Sequence, residues 1–238
     1  TNGLNVEAQL KVINEGGSLS TGTNGGNPAI TVSGADAVTL IFACGTDYKM
    51  ELPNFRGEDP HKAVTARINA AAKKGYEALK ADHVADHDAL FSRVELGFDE
   101  EIPQIPTDEL IKKYRNMIEN NGGDIPTSAE QRALEIMCYQ FGRYLTIAGS
   151  RDGALPTNLQ GVWGEGWFTW YGDYHFNINV QMNYWPVFNT NMAELFGAFA
   201  DYFEATVPNG HRKASEFVLE NNPSQYEEGE GACGWAIG

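Results

Sequence analysis

The opening of the chain alternates between apolar and polar positions in the manner of β-strands. Residues 5–13 (NVEAQLKVI) and 29–43 (AITVSGADAVTLIFA) are rich in β-branched and aromatic side chains. This pattern predicts two strands of a sheet. Residues 14–28 between them are rich in glycine, serine and asparagine, which predicts a long connecting loop.

From Asp59 onwards the apolar period lengthens to that of a helix. Pro60 suits a first helical position and Gly75 predicts a break, so one or two helices are expected before residue 94. The apolar positions at helical spacing are Val64, Ile68, Ala72, Leu79, Val84, Leu90 and Phe91. Residues 100–107 (EEIPQIPT) contain two prolines, which favour an extended linker.

The second half of the chain predicts successive helices without strands between them. Helices are expected over 107–120, over 128–148 with Ser128 as its N-cap, and over 208–219, which begins with a proline. Residues 149–166 (GSRDGALPTNLQGVWGEG) form a long loop punctuated by glycine. Loops of that length in compact domains are often functional.

The charge balance argues against several classes of partner, and the cysteines argue against two kinds of structural site. The chain has 238 residues, and its 17 Lys and Arg against 32 Asp and Glu give a net charge of −15, which argues against nucleic acid and anionic membranes. Cys44, Cys138 and Cys233 indicate neither a disulfide framework nor a zinc cluster. No apolar run has the length of a membrane span, the start lacks a signal-peptide pattern, and both ends suggest a fragment of a larger protein.

Aromatic residues concentrate in residues 163–188 (WGEGWFTWYGDYHFNINVQMNYWPVF). These 26 residues hold four of the five tryptophans, three tyrosines, three phenylalanines and a histidine among several amides. Flat apolar faces beside uncharged hydrogen-bonding groups suit a neutral, polyhydroxylated ligand such as a sugar. The alternative is a buried helix start whose rings fill a core.

Two histidines offer a weaker candidate for a metal site. His83 and His87 lie four apart, beside Asp82, Asp86 and Asp88, but the arrangement lacks the glutamate of HExxH and an obvious third ligand. We interpret this segment as a solvated acidic helix face, and we expect neither a metal nor another cofactor.

Glycoside cleavage usually needs two carboxyl groups, one acting as the acid and the other as base or nucleophile. The candidates in or beside the aromatic loop are Asp152, Glu165 and Asp173, whereas Glu194 is better explained by a helix start. For each candidate the alternative is a loop carboxylate that accepts hydrogen bonds from backbone amides.

His175, Asn177 and Asn179 alternate in HFNIN and would point the same way in an extended segment. Two converging amide oxygens can hold a water molecule, although an amide alone is a poor base and a carboxylate would have to complete the site. The alternative is that these asparagines cap or brace the backbone.

Two long motifs then resemble glycoside hydrolase family 95, whose best-known members are inverting α-L-fucosidases. They are QFGRYLTIAGSRDGALPTNLQGVWGEG and DYHFNINVQMNYWPVFNTNMAELF, supported upstream by FRGEDPHKAV and HVADHDALFSRVELGF. The resemblance is weakest over 14–28 and 205–230. It implies an α+β chain with the last strands of a β-sandwich over 1–58, a helical linker over 59–105 and the first part of an (α/α)6 barrel over 106–238.

The resemblance also implies roles for individual residues. Asn177 and Asn179 match the pair that helps to activate the attacking water, and His175 takes a position where histidine goes with fucose and threonine with L-galactose. Trp163, Trp185 and Gln160 are expected to line the substrate cleft. The family's general-acid glutamate and partnering aspartate are expected downstream of these 238 residues.

The implied function is inverting release of terminal α-L-fucose from a fucosylated oligosaccharide or polysaccharide. This chain alone is expected to be inactive, and its apolar helix faces, such as those of Phe196, Phe199 and Phe203, are expected to be exposed or to be covered by self-association. The resemblance favours a secreted or periplasmic parent enzyme. The alternatives are a non-catalytic glycan-binding module, an α-L-galactosidase, and an unrelated lyase or phosphorylase with a helical barrel.

Overall fold

The computed structural model describes residues 3–97, 103–124, 127–164 and 169–236. The chain divides into two compact units, Thr1–Ala85 and Asp86–Gly238. Strands and helices are both present, so the predicted α+β class is confirmed at that level. The β-sandwich, the barrel and the domain boundaries after residues 58 and 105 stay predictions. Within the described residues, no helix is long and apolar enough to cross a membrane.

The first unit is built on two antiparallel strand pairs. Strand β1 (Val6–Glu15) pairs with β4 (Ala37–Thr46), and β2 (Ser18–Asn24) pairs with β3 (Asn27–Ser33). The prediction of one long loop over 14–28 was therefore wrong. Gly25 and Gly26 have φ values of 59° and 85°, so they close a tight hairpin turn. Every residue of β2 is exposed, and a strand without a buried face lacks the apolar period that would have revealed it.

Helix α1 (His61–Lys74) covers one face of the β1–β4 pair. Its buried Val64 and Ile68 pack with Ala43 of β4. The predicted break follows at Gly75, whose φ of 82° suits glycine, and α2 (Tyr76–Phe91) begins directly after it.

Helices make up most of the second unit. They are α3 (Thr107–Asn120), α4 (Ala129–Gly149), α5 (Asn179–Tyr184), α6 (Pro186–Asn189) and α7 (Gly197–Asn221), with short 3-10 helices at Ala193–Phe196 and Pro223–Gln225. Ser128 caps α4 as predicted, because its side chain accepts a hydrogen bond from the Gln131 N–H at 3.1 Å.

Pro208 does not open a helix as predicted but lies inside α7. A proline removes one backbone hydrogen bond and strains the preceding turn. Residues on both sides of it, Ala198 and Gly210, are buried, so packing holds the helix together across the proline.

The core of the second unit lies where the end of α2, α4, α5, α6 and the start of α7 meet. Its buried members are Leu90, Ile147, Tyr184, Val187, Met192 and Leu195. Phe196 and Phe199 pack against this core, and Phe203 contacts Trp235 with ring centroids 5.2 Å apart. The predicted exposure of these three phenylalanines was therefore wrong, because they are half-buried against partners within the chain, whereas self-association stays a prediction. Ile147 of α4 and Tyr184 of α5 belong to this core, which therefore includes residues of both helices that the α4–α5 loop joins.

Candidate active site

The α4–α5 loop contains a tight turn that carries Gln160. The backbone groups of Asn158 and Gly161 exchange hydrogen bonds of 3.1 and 2.9 Å, and Asn158 Oδ1 accepts the Gln160 N–H at 2.8 Å. Gly161 has a φ of 71°, and an added Cβ there would lie 3.0 Å from Trp163 Cδ1. Glycine therefore allows the Trp163 ring to lie against the turn. Gln160 is half-buried and Trp163 is exposed.

A second turn follows at Thr169–Gly172. Trp170 and Tyr171 have φ values of 59° and 56°, in the left-handed region that bulky residues seldom occupy. Tyr171 is 97% exposed. The Asp173 N–H donates to Trp170 O at 2.9 Å, and Asp173 O accepts the Leu159 N–H at 3.2 Å. That second bond joins this turn to the Gln160 turn.

Asp173 also binds His175 through both carboxylate oxygens. Oδ1 accepts the His175 backbone N–H at 3.1 Å, and Oδ2 contacts the ring Nδ1. The backbone hydrogen bond from His175, assisted by the imidazole contact, lowers the pKa of Asp173 below 3.8. A carboxylate at Nδ1 favours the tautomer with the proton there and leaves Nε2 available to a ligand.

Asn177 and Asn179 lie on a turn and a helix start, so the premise of an extended HFNIN segment was wrong. His175 has a φ of 44°, residues 176–178 form a turn, and α5 begins at Asn179. The Val180 N–H then donates to His175 O at 3.4 Å. Alternation consequently does not orient these side chains.

The structure joins some of the expected site residues and leaves others separate. The bond between Leu159 and Asp173 connects the Gln160–Trp163 turn with the pair formed by Asp173 and His175. Asn177, Asn179 and Trp185 are exposed, and within the described ranges no hydrogen bond joins their side chains to these turns. The aromatic stretch is therefore divided, because Trp163, Trp170 and Trp185 face solvent while Tyr184 belongs to the core.

The other carboxylates have different surroundings. Asp152 Oδ1 lies 2.6 Å from where a Cβ on residue 197 would be, so Gly197 makes room for it. Glu194 pairs with Arg93 at 2.6 Å, and hydrogen bonding to its own backbone, followed by Arg93, lowers its pKa below 4.5. This placement agrees with the predicted helix-start role of Glu194. Glu165 lies outside the described residues.

Of the two histidines considered for a metal site, His87 packs against aromatic rings. His87 stacks on Phe91 and tilts against Tyr144, with ring centroids 5.0 and 5.5 Å apart. In the part of the chain that the structure describes, no group of three His, Cys, Asp or Glu side chains is arranged to hold a metal ion.

Comparison with known proteins gives the context of this loop. The Glycosyl hydrolase family 95 catalytic domain matches residues 75–225, well over half of the chain. The chain belongs to glycoside hydrolase family 95. The matched interval contains the whole α4–α5 loop and α5, and with them His175, Asn177 and Asn179.

Curated relatives agree with the family match. The chain is 35% identical over 222 residues to "Probable alpha-fucosidase A" of Aspergillus niger, covering 89% of this chain and 26% of that protein. It is 32% identical over 216 residues to "Alpha-L-fucosidase 2" of Arabidopsis thaliana, covering 89% and 25%. A further "Probable alpha-fucosidase A", from Aspergillus oryzae, is 32% identical over 197 residues, covering 79% and 26%. The chain thus spans about a quarter of the length of these relatives.

Sequence reasoning did not identify the residues that hold this family 95 loop in place. Asn183 Nδ2 donates to Asn158 O at 2.7 Å, and the Tyr184 hydroxyl accepts the Thr157 N–H at 2.9 Å. Both belong to the aromatic and amide-rich stretch that the sequence singles out. Their partners lie 25 and 27 residues earlier in the chain, a separation that no local pattern specifies.

Proposed function

We propose that this chain forms part of an inverting α-L-fucosidase that releases terminal α-L-fucose from a fucosylated oligosaccharide or polysaccharide. The observation that carries the proposal is the match to the family 95 catalytic domain over the whole α4–α5 loop. The names of the curated relatives, all of them α-fucosidases, support the same substrate class.

An inverting glycosidase activates a water on one face of the sugar while an acid protonates the leaving oxygen on the other. In the proposed mechanism Asn177 and Asn179 orient the attacking water through their amide oxygens. The solvent exposure of both side chains supports this role, because it leaves them accessible to a water molecule. An amide does not remove a proton, so the mechanism needs carboxyl groups that the resemblance assigns outside these 238 residues.

His175 is proposed to select fucose. Its contact with Asp173 supports this assignment, because a carboxylate that holds Nδ1 fixes the ring and directs Nε2 towards a sugar hydroxyl. Gln160, Trp163 and Trp185 are proposed to complete the substrate cleft. The exposed indole rings of Trp163 and Trp185 suit the apolar face of a sugar, and the amide of Gln160 suits its hydroxyls.

The test is a kinetic comparison of variants of the complete gene product on an aryl α-L-fucoside and an aryl α-L-galactoside. Asn177→Ala and Asn179→Ala should each lower kcat about a hundredfold or more, because a misplaced water loses orientation and electrostatic stabilisation together. His175→Thr should weaken fucosides relative to L-galactosides. Asn189→Ala, at an exposed asparagine of α6, is the matched control and should leave both activities unchanged.

Near wild-type kcat in folded Asn177→Ala and Asn179→Ala proteins would refute the proposed water site. The 238-residue polypeptide tested alone should not hydrolyse the fucoside above a boiled control. A second candidate, a non-catalytic glycan-binding module, is favoured by the exposure of Trp170, Tyr171 and Trp185. It predicts calorimetric binding of fucosylated glycans by the complete gene product without turnover.

A further inference from the structure

A chain of buried hydrogen bonds fastens the α4–α5 loop at Thr157. The Thr157 backbone N–H lies 2.9 Å from the Tyr184 hydroxyl, which lies 2.9 Å from Ser150 Oγ. Ser150 Oγ in turn lies 2.9 Å from the Leu195 carbonyl oxygen. Tyr184 is 2% exposed and Ser150 is fully buried, so water does not substitute for these contacts.

The direction of every bond in this chain is determined. A carbonyl oxygen only accepts, so the Ser150 hydroxyl must donate its one proton to Leu195. The Tyr184 hydroxyl therefore donates to Ser150 and accepts the Thr157 N–H. Each hydroxyl donates once and accepts once, an arrangement in which neighbouring bonds strengthen one another.

Asn183 adds a second attachment beside the first. Its Nδ2 donates to Asn158 O at 2.7 Å and reaches Thr157 O at 3.4 Å. Asn158 is the residue that builds the turn bearing Gln160. Asn183 and Asn179 are four residues apart in α5 and therefore lie on the same side of that helix.

We infer that Asn183 and Tyr184 are positioning residues that hold the Asn158–Gly161 turn in register with Asn179. The inference rests on the proposed function, in which Gln160 contacts the sugar and Asn179 orients the water. These two residues belong to different segments, so their separation depends on contacts between the segments. Asn183 and Tyr184 act through the turn and do not themselves touch the substrate.

The first test is Tyr184→Phe in the complete gene product. The ring keeps its place in the core, but the Thr157 N–H loses its acceptor and Ser150 loses its donor. Hydrogen exchange of a peptide covering residues 155–163 should accelerate about tenfold, and kcat/KM on an aryl α-L-fucoside should fall about tenfold to a hundredfold with a raised KM. A merely destabilised protein would lose active molecules at unchanged KM.

Asn183→Asp provides a second, independent variant. It has nearly the same shape but presents only acceptors to the carbonyls of Thr157 and Asn158. Asn183→Asp should therefore lower kcat/KM at least as much as Asn183→Ala does. Wild-type kinetics with Asn183→Asp would overturn the inference.

Thr190→Val is the matched control. It also removes a buried hydroxyl, which donates to Pro186 O at 2.8 Å, but within the described ranges no hydrogen bond of Thr190 reaches the loop. It should leave exchange over 155–163 and KM unchanged. The inference is overturned if Tyr184→Phe does not accelerate that exchange, or accelerates it while its kinetics equal those of Thr190→Val.

The outcomes separate the inference from the proposed function. If the unmodified gene product hydrolyses no fucoside, the proposed function fails. Asn183 and Tyr184 then have no role in positioning residues for that reaction. The exchange measurements still decide whether Tyr184 and Asn183 fasten the turn, because they require no substrate.

Discussion

Arg143 provides a quantitative test of how the second unit is held together. Its side chain is buried, with 2% of the residue exposed. Nη1 donates to Phe91 O at 2.8 Å, Val94 O at 2.9 Å and Gln140 Oε1 at 2.9 Å, and Nη2 donates to Leu90 O at 3.0 Å. The guanidinium thus satisfies carbonyls at the C-terminal end of α2, where the helix leaves acceptors unpaired and a cation is favoured.

The expected loss follows from these contacts. A hydrogen bond to a charged group contributes about 1.5–3 kcal/mol, and the bonds of Arg143 together exceed that range before the desolvation of the buried cation offsets part of it. Arg143→Met keeps much of the side-chain volume but leaves the carbonyls of Leu90 and Phe91 without this donor. We expect a local loss of about 3 kcal/mol, and about half of that for Arg143→Lys, which keeps the charge.

Native-state hydrogen exchange of a peptide covering residues 84–94 measures this loss in the complete gene product. A change of about 3 kcal/mol corresponds to roughly hundredfold faster exchange at the end of α2. Arg115→Met, at an exposed arginine of α3, should change exchange by less than about threefold. If Arg143→Met matched that control, the assignment of Arg143 as the cap of α2 would be refuted.

Two further predictions concern Asp173 and a close contact of α7. Because its pKa is lowered in the folded chain, Asp173 stabilises the fold fully above its unfolded pKa near 3.8, and this is lost as the pH falls through the folded pKa. The difference in melting temperature between wild type and Asp173→Asn should be constant from about pH 5 to 7 and should shrink below about pH 4. A difference that does not change with pH would contradict the lowered pKa of Asp173. In Gly210→Ala the new Cβ would lie 2.0 Å from Trp235 Nε1, so melting should indicate a loss of about 1–3 kcal/mol. Gly142→Ala, with no atom within 4 Å of the new Cβ, should instead be neutral or stabilising by up to about 1 kcal/mol, and equal effects would refute the contact.

Features set by neighbouring residues could be predicted from the sequence. The break at Gly75 and the Ser128 cap depend on backbone preferences and on contacts within one helical turn, so both were confirmed. Strand β2 and the continuous α7 could not be predicted in this way. The first depends on pairing with β3, and the second depends on burial that outweighs the local effect of Pro208.

The candidate site likewise has features that the sequence predicted and features that depend on contacts between distant segments. The aromatic and amide composition identified the α4–α5 loop, and the resemblance selected His175, Asn177 and Asn179 within it. The geometry of that segment was not predictable from alternation, because the left-handed backbone of His175 ends any extended conformation. The contacts of Asn183 and Tyr184 with the loop were likewise invisible, since they join residues that are far apart in sequence.

The contacts of Asp173 suit an orienting residue of the proposed mechanism better than its general acid. Trp170, Tyr171 and His175 all occupy the left-handed region, which costs about 1–2 kcal/mol of conformational free energy per residue. Hydrogen bonds made by the backbone and side chain of Asp173 hold the segment in this conformation. A general acid must be protonated near the working pH, which requires a raised pKa, whereas the bonds to His175 lower the pKa of Asp173. In the proposed mechanism Asp173 therefore orients the imidazole of His175 through both carboxylate oxygens, and a different residue is the general acid.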